Sequence, residues 1–235
     1  MAAEAISQSS SEPVVVLNQI TKLFGRFAAL CDISASFSAG KLYAVLGENG
    51  AGKSTLLRII AGLTRSSQGS LTIFGSEDVR QSLSRIGYMG HAPMLYDELS
   101  GAENLKYFGA LYSSEAASES NIESAMQMVG LDRKLVRRTS AYSQGMRQRL
   151  ALARAIVHDP ELLLLDEPFS NVDVASTQTM ASLLGKLRDR GKTIFVVTHQ
   201  AEILKATADE SVILQDGRLI ARTQSTTNAL REVTR

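Results

Sequence analysis

The sequence predicts an α/β fold, a sheet core interrupted by a helical insert. Three observations carry this expectation. The apolar runs Leu42 to Leu46, Leu162 to Leu165 and Thr193 to Val197 have the continuous hydrophobicity of strands buried on both faces. Helical periodicity lies between them, as in the stretch Asp173 to Arg190. Residues from about 101 to 158 hold few β-branched runs and several apolar repeats at three and four.

Taken in order, residues 1–12 are Ser-rich, carry Glu4 and Glu12, and read as a disordered tail. They have neither the basic start nor the apolar core of a signal peptide. Val14 to Leu17 begins a strand, and Phe27 to Phe37 reads as further short strands separated by turns. Leu42 to Leu46 is bounded by Gly40 and Gly47, as a buried parallel strand should be. Gly52 to Ala61 favours helix, with Leu56, Ile59 and Ile60 on one face. Ser70 to Phe74 and Arg85 to Met89 are two more strands. In the insert, Leu105, Phe108 and Tyr112 mark one helical face, and Met146, Leu150, Ala153 and Val157 another. Val212 to Leu214 and Leu219 to Ala221 flank Asp216-Gly217, a strong hairpin signal. Residues 13–222 are expected to form one domain with the helical insert at approximately 93–158, followed by an extension at 223–235.

Composition narrows the function. The chain has 235 residues, 44% of them hydrophobic and 21% charged, which excludes a mostly disordered protein. Lys+Arg 25 against Asp+Glu 24 leaves +1, so there is no global charge for binding nucleic acid. Cys31 is alone and suits a reducing compartment. A membrane-spanning helix needs ~20 mostly apolar residues, and the runs at Leu162–Leu165 and Ile194–Val197 stop at four. A cytosolic or peripheral protein is expected.

The chemistry begins at Gly47-Glu48-Asn49-Gly50-Ala51-Gly52-Lys53-Ser54, which fits G-x-x-x-x-G-K-[ST] between an expected strand and an expected helix. Glycines let the backbone curl so that successive N–H groups face phosphate oxygens, and the helix N-terminus adds positive potential. Lys53 would reach the β- and γ-phosphates and Ser54 would bind Mg²⁺, with Thr55 completing the site. This is a P-loop NTPase pattern. Leu162 to Leu165 ends in Asp166-Glu167, which puts one carboxylate at a strand end beside the nucleotide metal. Glu167, one residue on, can polarise an attacking water. His199 ends a third apolar run, at the edge where ligands of such sheets gather. His158, at a helix end before Pro160, reads as a favourable charge on the helix dipole.

The set Gly47–Ser54, Tyr142-Ser143-Gln144-Gly145-Met146-Arg147-Gln148-Arg149, Leu162–Glu167, Ser170-Asn171-Val172-Asp173 and His199 resembles the ATP-binding subunits of ABC transporters, from about residue 14 to 220. That resemblance implies a RecA-like parallel core with an N-terminal antiparallel β subdomain and an inserted helical subdomain. It implies ATP and Mg²⁺ as cofactors. It makes Ser143 and Gly145 part of a signature motif, Glu167 the catalytic glutamate, Asp173 a D-loop residue and His199 the switch histidine. Phe24 matches the aromatic that stacks on adenine. The family's subunits pair head to tail, so a second ATPase subunit, most simply an identical chain, and transmembrane permease subunits are implied partners. The implied location is the cytoplasmic face of the inner membrane, reached only through those partners.

Two departures bear on cargo. The signature reads Tyr142-Ser143-Gln144-Gly145-Met146, a form similar to that of exporter-type members. The family's Q-loop glutamine is replaced by His91 in Tyr88-Met89-Gly90-His91-Ala92-Pro93. His91 is then an expected neighbour of the metal, and the motif resembles the haem-exporter ATPases of cytochrome c maturation, as does Thr198-His199-Gln200. Haem export is the first expectation, and a general lipid, drug or polysaccharide exporter the second. The segment His91 to Glu103, with Met94, Leu95 and Tyr96, is the expected contact with the permease. A GTPase would need Asn-Lys-x-Asp, which is absent. A soluble, non-transport ABC ATPase would usually carry coiled-coil insertions or two ATPase domains, and a pure scaffold would not need Glu167.

Overall fold

The computed structural model describes residues 13–224, so the expected tail at 1–12 and most of the extension at 223–235 lie outside the described residues. β1 (Pro13–Phe24), β2 (Phe27–Ser38) and β4 (Gln68–Ile73) form an antiparallel sheet of order β2-β1-β4. β3 (Leu42–Leu46), β5 (Ile86–Met89), β6 (Leu162–Asp166), β7 (Thr193–Val197), β8 (Glu210–Gln215) and β9 (Arg218–Thr223) form a second sheet, ordered β5-β6-β7-β3-β8-β9. All its pairings are parallel except β8 with β9.

The apolar runs become the centre of that second sheet because both of its faces are covered. Along β3, Leu42, Ala44 and Leu46 enter one core while Tyr43 and Val45 enter the other, the period of two that a pleated strand imposes. The first core is closed by α4 (Gln144–Ile156) and α5 (Val174–Asp189). The second is closed by the antiparallel sheet and α1 (Lys53–Ile60). Phe37, Tyr43 and Phe195 join the two sheets there, with ring centroids 4.9–5.0 Å apart. Burial, with a lesser push from Glu210, raises the Tyr43 hydroxyl to about 12. The phenol therefore stays neutral and donates to the Ser38 carbonyl at 3.1 Å.

Phe27 to Phe37 is one continuous strand, not several short ones. What interrupts the regularity of the two long strands is a kink in each, not a turn. Asp32 in β2 and Gln19 in β1 both hold φ near +52°, and the β1–β2 register shifts repeatedly between Leu17 and Leu23. Thr21 Oγ1 and Ser34 Oγ accept the N–H groups these kinks free, from Asp32 and Gln19 respectively. At the far end of the chain, Asp216 and Gly217 have φ of +48° and +74°. Positive φ at both central residues is what a tight two-residue hairpin requires.

Between β5 and β6, α2 (Gly101–Ala110), α3 (Glu119–Met128) and α4 pack on one another around Leu105, Met126 and Leu150. Ser100 and Glu103 form a capping box on α2, and Ser118 caps α3. Tyr112 lies beyond α2 rather than on its face. Its ring stacks on His158, centroids 3.6 Å apart and planes 4° from parallel.

That contact corrects the helix-dipole reading of His158. Burial, the dominant influence, holds its pKa below the ordinary value and favours the neutral ring, whose Nε2 lies 3.1 Å from the Ile86 carbonyl. As pH falls, the unfolded chain takes up this proton first. The associated stability is full above the unfolded value of ~6.5 and is lost below it. His158→Phe keeps a ring on Tyr112 and cannot titrate. Urea unfolding from pH 7 to 5 should show a shallower loss of stability in the variant. Equal slopes would mean that His158 carries none of the acid sensitivity.

Candidate nucleotide site

Three strands of the parallel sheet deliver the site at their C-terminal ends. β3 runs into the loop Gly47–Gly52 and then α1, β6 ends at Asp166, and the segment after β7 carries His199. The loop glycines are sterically required at two points. At Gly47, φ is +145° and a Cβ would fall 2.1 Å from the Leu214 carbonyl oxygen. At Gly52, φ is +98° and a Cβ would fall 2.5 Å from the Ala29 oxygen. Gly52 also starts α1 without any side-chain cap, so the helix presents its first N–H groups uncapped.

Lys53 is buried, and its Nζ donates to the Gly47 and Glu48 carbonyls at 2.7 Å each. Burial lowers its pKa, opposed by the negative charges of Glu167 and Asp166. Ser54 Oγ donates to Asp166 Oδ1 at 3.0 Å. This hydroxyl–carboxylate pair offers hard oxygen donors, which suit Mg²⁺ bound jointly with phosphates. Among the described residues no group of three or more His, Cys, Asp or Glu could hold a metal by itself.

Glu167 is nearly buried and takes φ +54°, an uncommon conformation for a residue with a side chain. Burial raises the pKa of its carboxyl and Asp166 adds to that, while His199 and Lys53 pull it down. His199 Nε2 lies 3.1 Å from Glu167 Oε1, an approach too poorly directed to count as a hydrogen bond. The His199 main-chain N–H reaches Glu167 Oε2 at 3.4 Å.

These groups line a cleft of about 400 Å³ together with Asn49, Gly50, Gly52, Thr55, His91 and Phe24. Phe24 is exposed at the cleft, with Lys22 Nζ 4.8 Å from its ring centroid. Gly47, Glu48 and Ala51 form the loop behind it without lining it. Ser143, Gly145 and Asp173 are not brought to the cleft at all. Ser143 caps α4, its Oγ accepting the Met146 N–H, and Asp173 caps α5 by accepting from Ser176. Those bonds to Ser176 hold the exposed Asp173 carboxyl below the usual range. Phe27, Ala29 and Val197 also line the cleft and carry no role in the sequence reading, and Ser170, which the sequence marks only as part of the motif ending at Asp173, lines it too. Phe27 was within reach of the sequence. It pairs with Phe24 across the two-residue turn at Gly25, so one aromatic at that tip implies its neighbour.

Residues 30–170 match the family model described as ABC transporter. The chain belongs to the ABC transporter family. It is an ATP-binding protein of that family and has its fold. It is 37% identical over 199 residues to the ABC transporter ATP-binding protein NatA of Bacillus subtilis (strain 168), covering 83% of this chain and 81% of that protein. It is 36% identical over 219 residues to the Nod factor export ATP-binding protein I of Rhizobium johnstonii, covering 92% and 70%. Among solved structures, the dimeric post-hydrolysis ATP-binding cassette MJ0796 bound to ADP and Pi superposes with a TM-score of 0.83 at 25% identity, covering 89% of this chain and 98% of that one. Among the described residues no helix is long and apolar enough to cross a membrane.

Proposed function

We propose that this chain hydrolyses ATP to drive export through membrane-embedded partner subunits. The observation that supports this most is the grouping of Lys53, the Ser54–Asp166 pair and Glu167 along one cleft. The adenine stacks on Phe24, and the loop from Gly47 to Thr55 cradles the phosphates. Ser54 and Asp166 hold Mg²⁺, which when bound neutralises charge on the phosphate oxygens. Glu167 accepts the proton of the attacking water, and its raised pKa moves it toward the range in which a base works best at neutral pH. His199 stands beside that carboxylate, where it can hold it or contact the γ-phosphate.

Ser143, Gly145 and Asp173 act in a head-to-tail pair, reaching the nucleotide of a second, identical chain. Their separation from this chain's own cleft, and the dimer formed by the similar cassette MJ0796, support that arrangement. Ser143→Arg puts bulk and charge at that contact. ATP should still bind the monomer while ATP-driven dimerisation fails, read by size exclusion. Dimerisation at the wild-type ATP concentration would overturn the head-to-tail reading.

The Nod factor relative supports export as the direction of transport and a general exporter as the leading reading. Met94 and Tyr96, both exposed, offer the contact with the permease, whereas Leu95 packs on the core. The working location is the cytoplasmic face of the membrane. Haem export is a second reading, favoured by His91 standing at the cleft in its Tyr88–Pro93 motif. Haem staining of gels separates the two: loss of c-type cytochromes in cells carrying Lys53→Ala supports haem export. Normal cytochromes in a strain lacking this protein rule it out.

A further inference from the structure

Gln148 is buried on α4, five positions after Ser143, and the proposed mechanism leaves it without a role. Its Nε2 donates 2.8 Å to the main-chain carbonyl of Glu167. A left-handed conformation at a residue with a Cβ persists where its surroundings over-determine it. Three hydrogen bonds do so here. The Glu167 N–H donates to Val197 O at 2.9 Å, and the Glu167 carbonyl accepts from Ser170 N at 3.2 Å and from Gln148. The first ties the residue to β7 and the second closes its own turn. The bond from Gln148 is the one that comes from the helical insert.

The same helix meets the same loop at a second place. A Cβ on Gly145 would lie 3.5 Å from the Asn171 oxygen and 3.8 Å from the Val172 Cα. α4 therefore lies along the loop from Glu167 to Val172 at two points about one turn apart.

We propose that Gln148 is a positioning residue for Glu167: its amide fixes the peptide from which the carboxylate projects into the cleft. Rotation of that peptide would swing the Cα–Cβ bond and carry the carboxylate away from its place beside Lys53 and His199. The proposal rests on Glu167 being the base. It also means that one rigid helix serves two sites, since its N-terminus carries Ser143 and Gly145 toward the partner chain while Gln148 braces the base of its own.

The test uses the full chain with Gln148→Leu, which removes the donor at similar volume. Gln148→Met, more adaptable in a core, stands in if the first variant does not fold. Turnover should fall about 10–100-fold, the scale of a misplaced reacting group. KM and the affinity for a fluorescent ATP analogue should stay within about twofold, because Gln148 touches no phosphate-binding group. In a Glu167→Gln background the same substitution should leave the residual rate unchanged, there being no base left to position. Wild-type kcat in both Gln148 variants would overturn the proposal, as would a full further drop in the Glu167→Gln background. If Glu167→Gln itself keeps wild-type turnover, the base assignment falls and the positioning role with it. Inactive Glu167→Gln beside active Gln148 variants sinks the positioning role alone.

Discussion

Glu167→Gln should lower ATP turnover about 10²–10⁴-fold while ATP still binds. At 1.36 kcal/mol per decade this corresponds to about 3–5 kcal/mol of lost transition-state stabilisation. The substitution keeps the side chain's size and one acceptor oxygen but removes the group that takes the proton from water. The fold should tolerate it, because the bonds that hold residue 167 in place, from Ser170, Gln148 and to Val197, all involve its main chain. Removing the charge also relieves the burial that raises this carboxyl's pKa. With hydrolysis blocked, ATP should accumulate in a closed pair of chains that elutes as a dimer. A hydrolysis rate near wild type would remove Glu167 from the base role and direct attention to Asp173 or His199.

How much of this site the sequence discloses follows from how each part is built. The loop Gly47–Ser54 is local: one stretch of chain supplies the strand end, the curl and the helix start, so spacing alone identifies it. Asp166 is nearly as plain, because a four-residue apolar run fixes where the strand ends and hence where the carboxylate sits. Gln148 is a different case. A glutamine on a helix face carries no mark of a bond to a carbonyl 19 residues away, and only the packing of α4 on the loop creates it. His158 misled for the same reason, since its position before Pro160 suggested a charge at a helix end. Partial burial, with the ring stacked on Tyr112 and Nε2 near the Ile86 carbonyl, favours the neutral form instead. The continuity of β2 is hidden in the same way: Phe27 to Phe37 reads as short strands separated by turns, whereas the chain there is one strand kinked at Asp32, whose N–H the Thr21 hydroxyl accepts.

Lys53→Ala should abolish turnover and weaken ATP binding by on the order of 10²–10⁴-fold, since charge-assisted hydrogen bonds contribute ~1.5–3 kcal/mol each and this ammonium can make two to phosphate oxygens. The fold should survive, for a reason visible in the pKa. Burial already disfavours the charged form of Lys53, so deleting it removes a desolvation cost along with its two bonds to Gly47 and Glu48. The carbonyls left behind belong to half-buried Gly47 and exposed Glu48, which lie outside the core, so water can replace the lost donor. Circular dichroism should therefore match wild type, with Tm changed by only a few degrees. Binding is read by titration with a fluorescent ATP analogue, and turnover by phosphate release. An affinity within threefold of wild type, in a variant that remains folded, would show that the nucleotide's phosphates do not sit on this loop. That result would remove the ground from every role assigned to Ser54, Asp166 and Glu167.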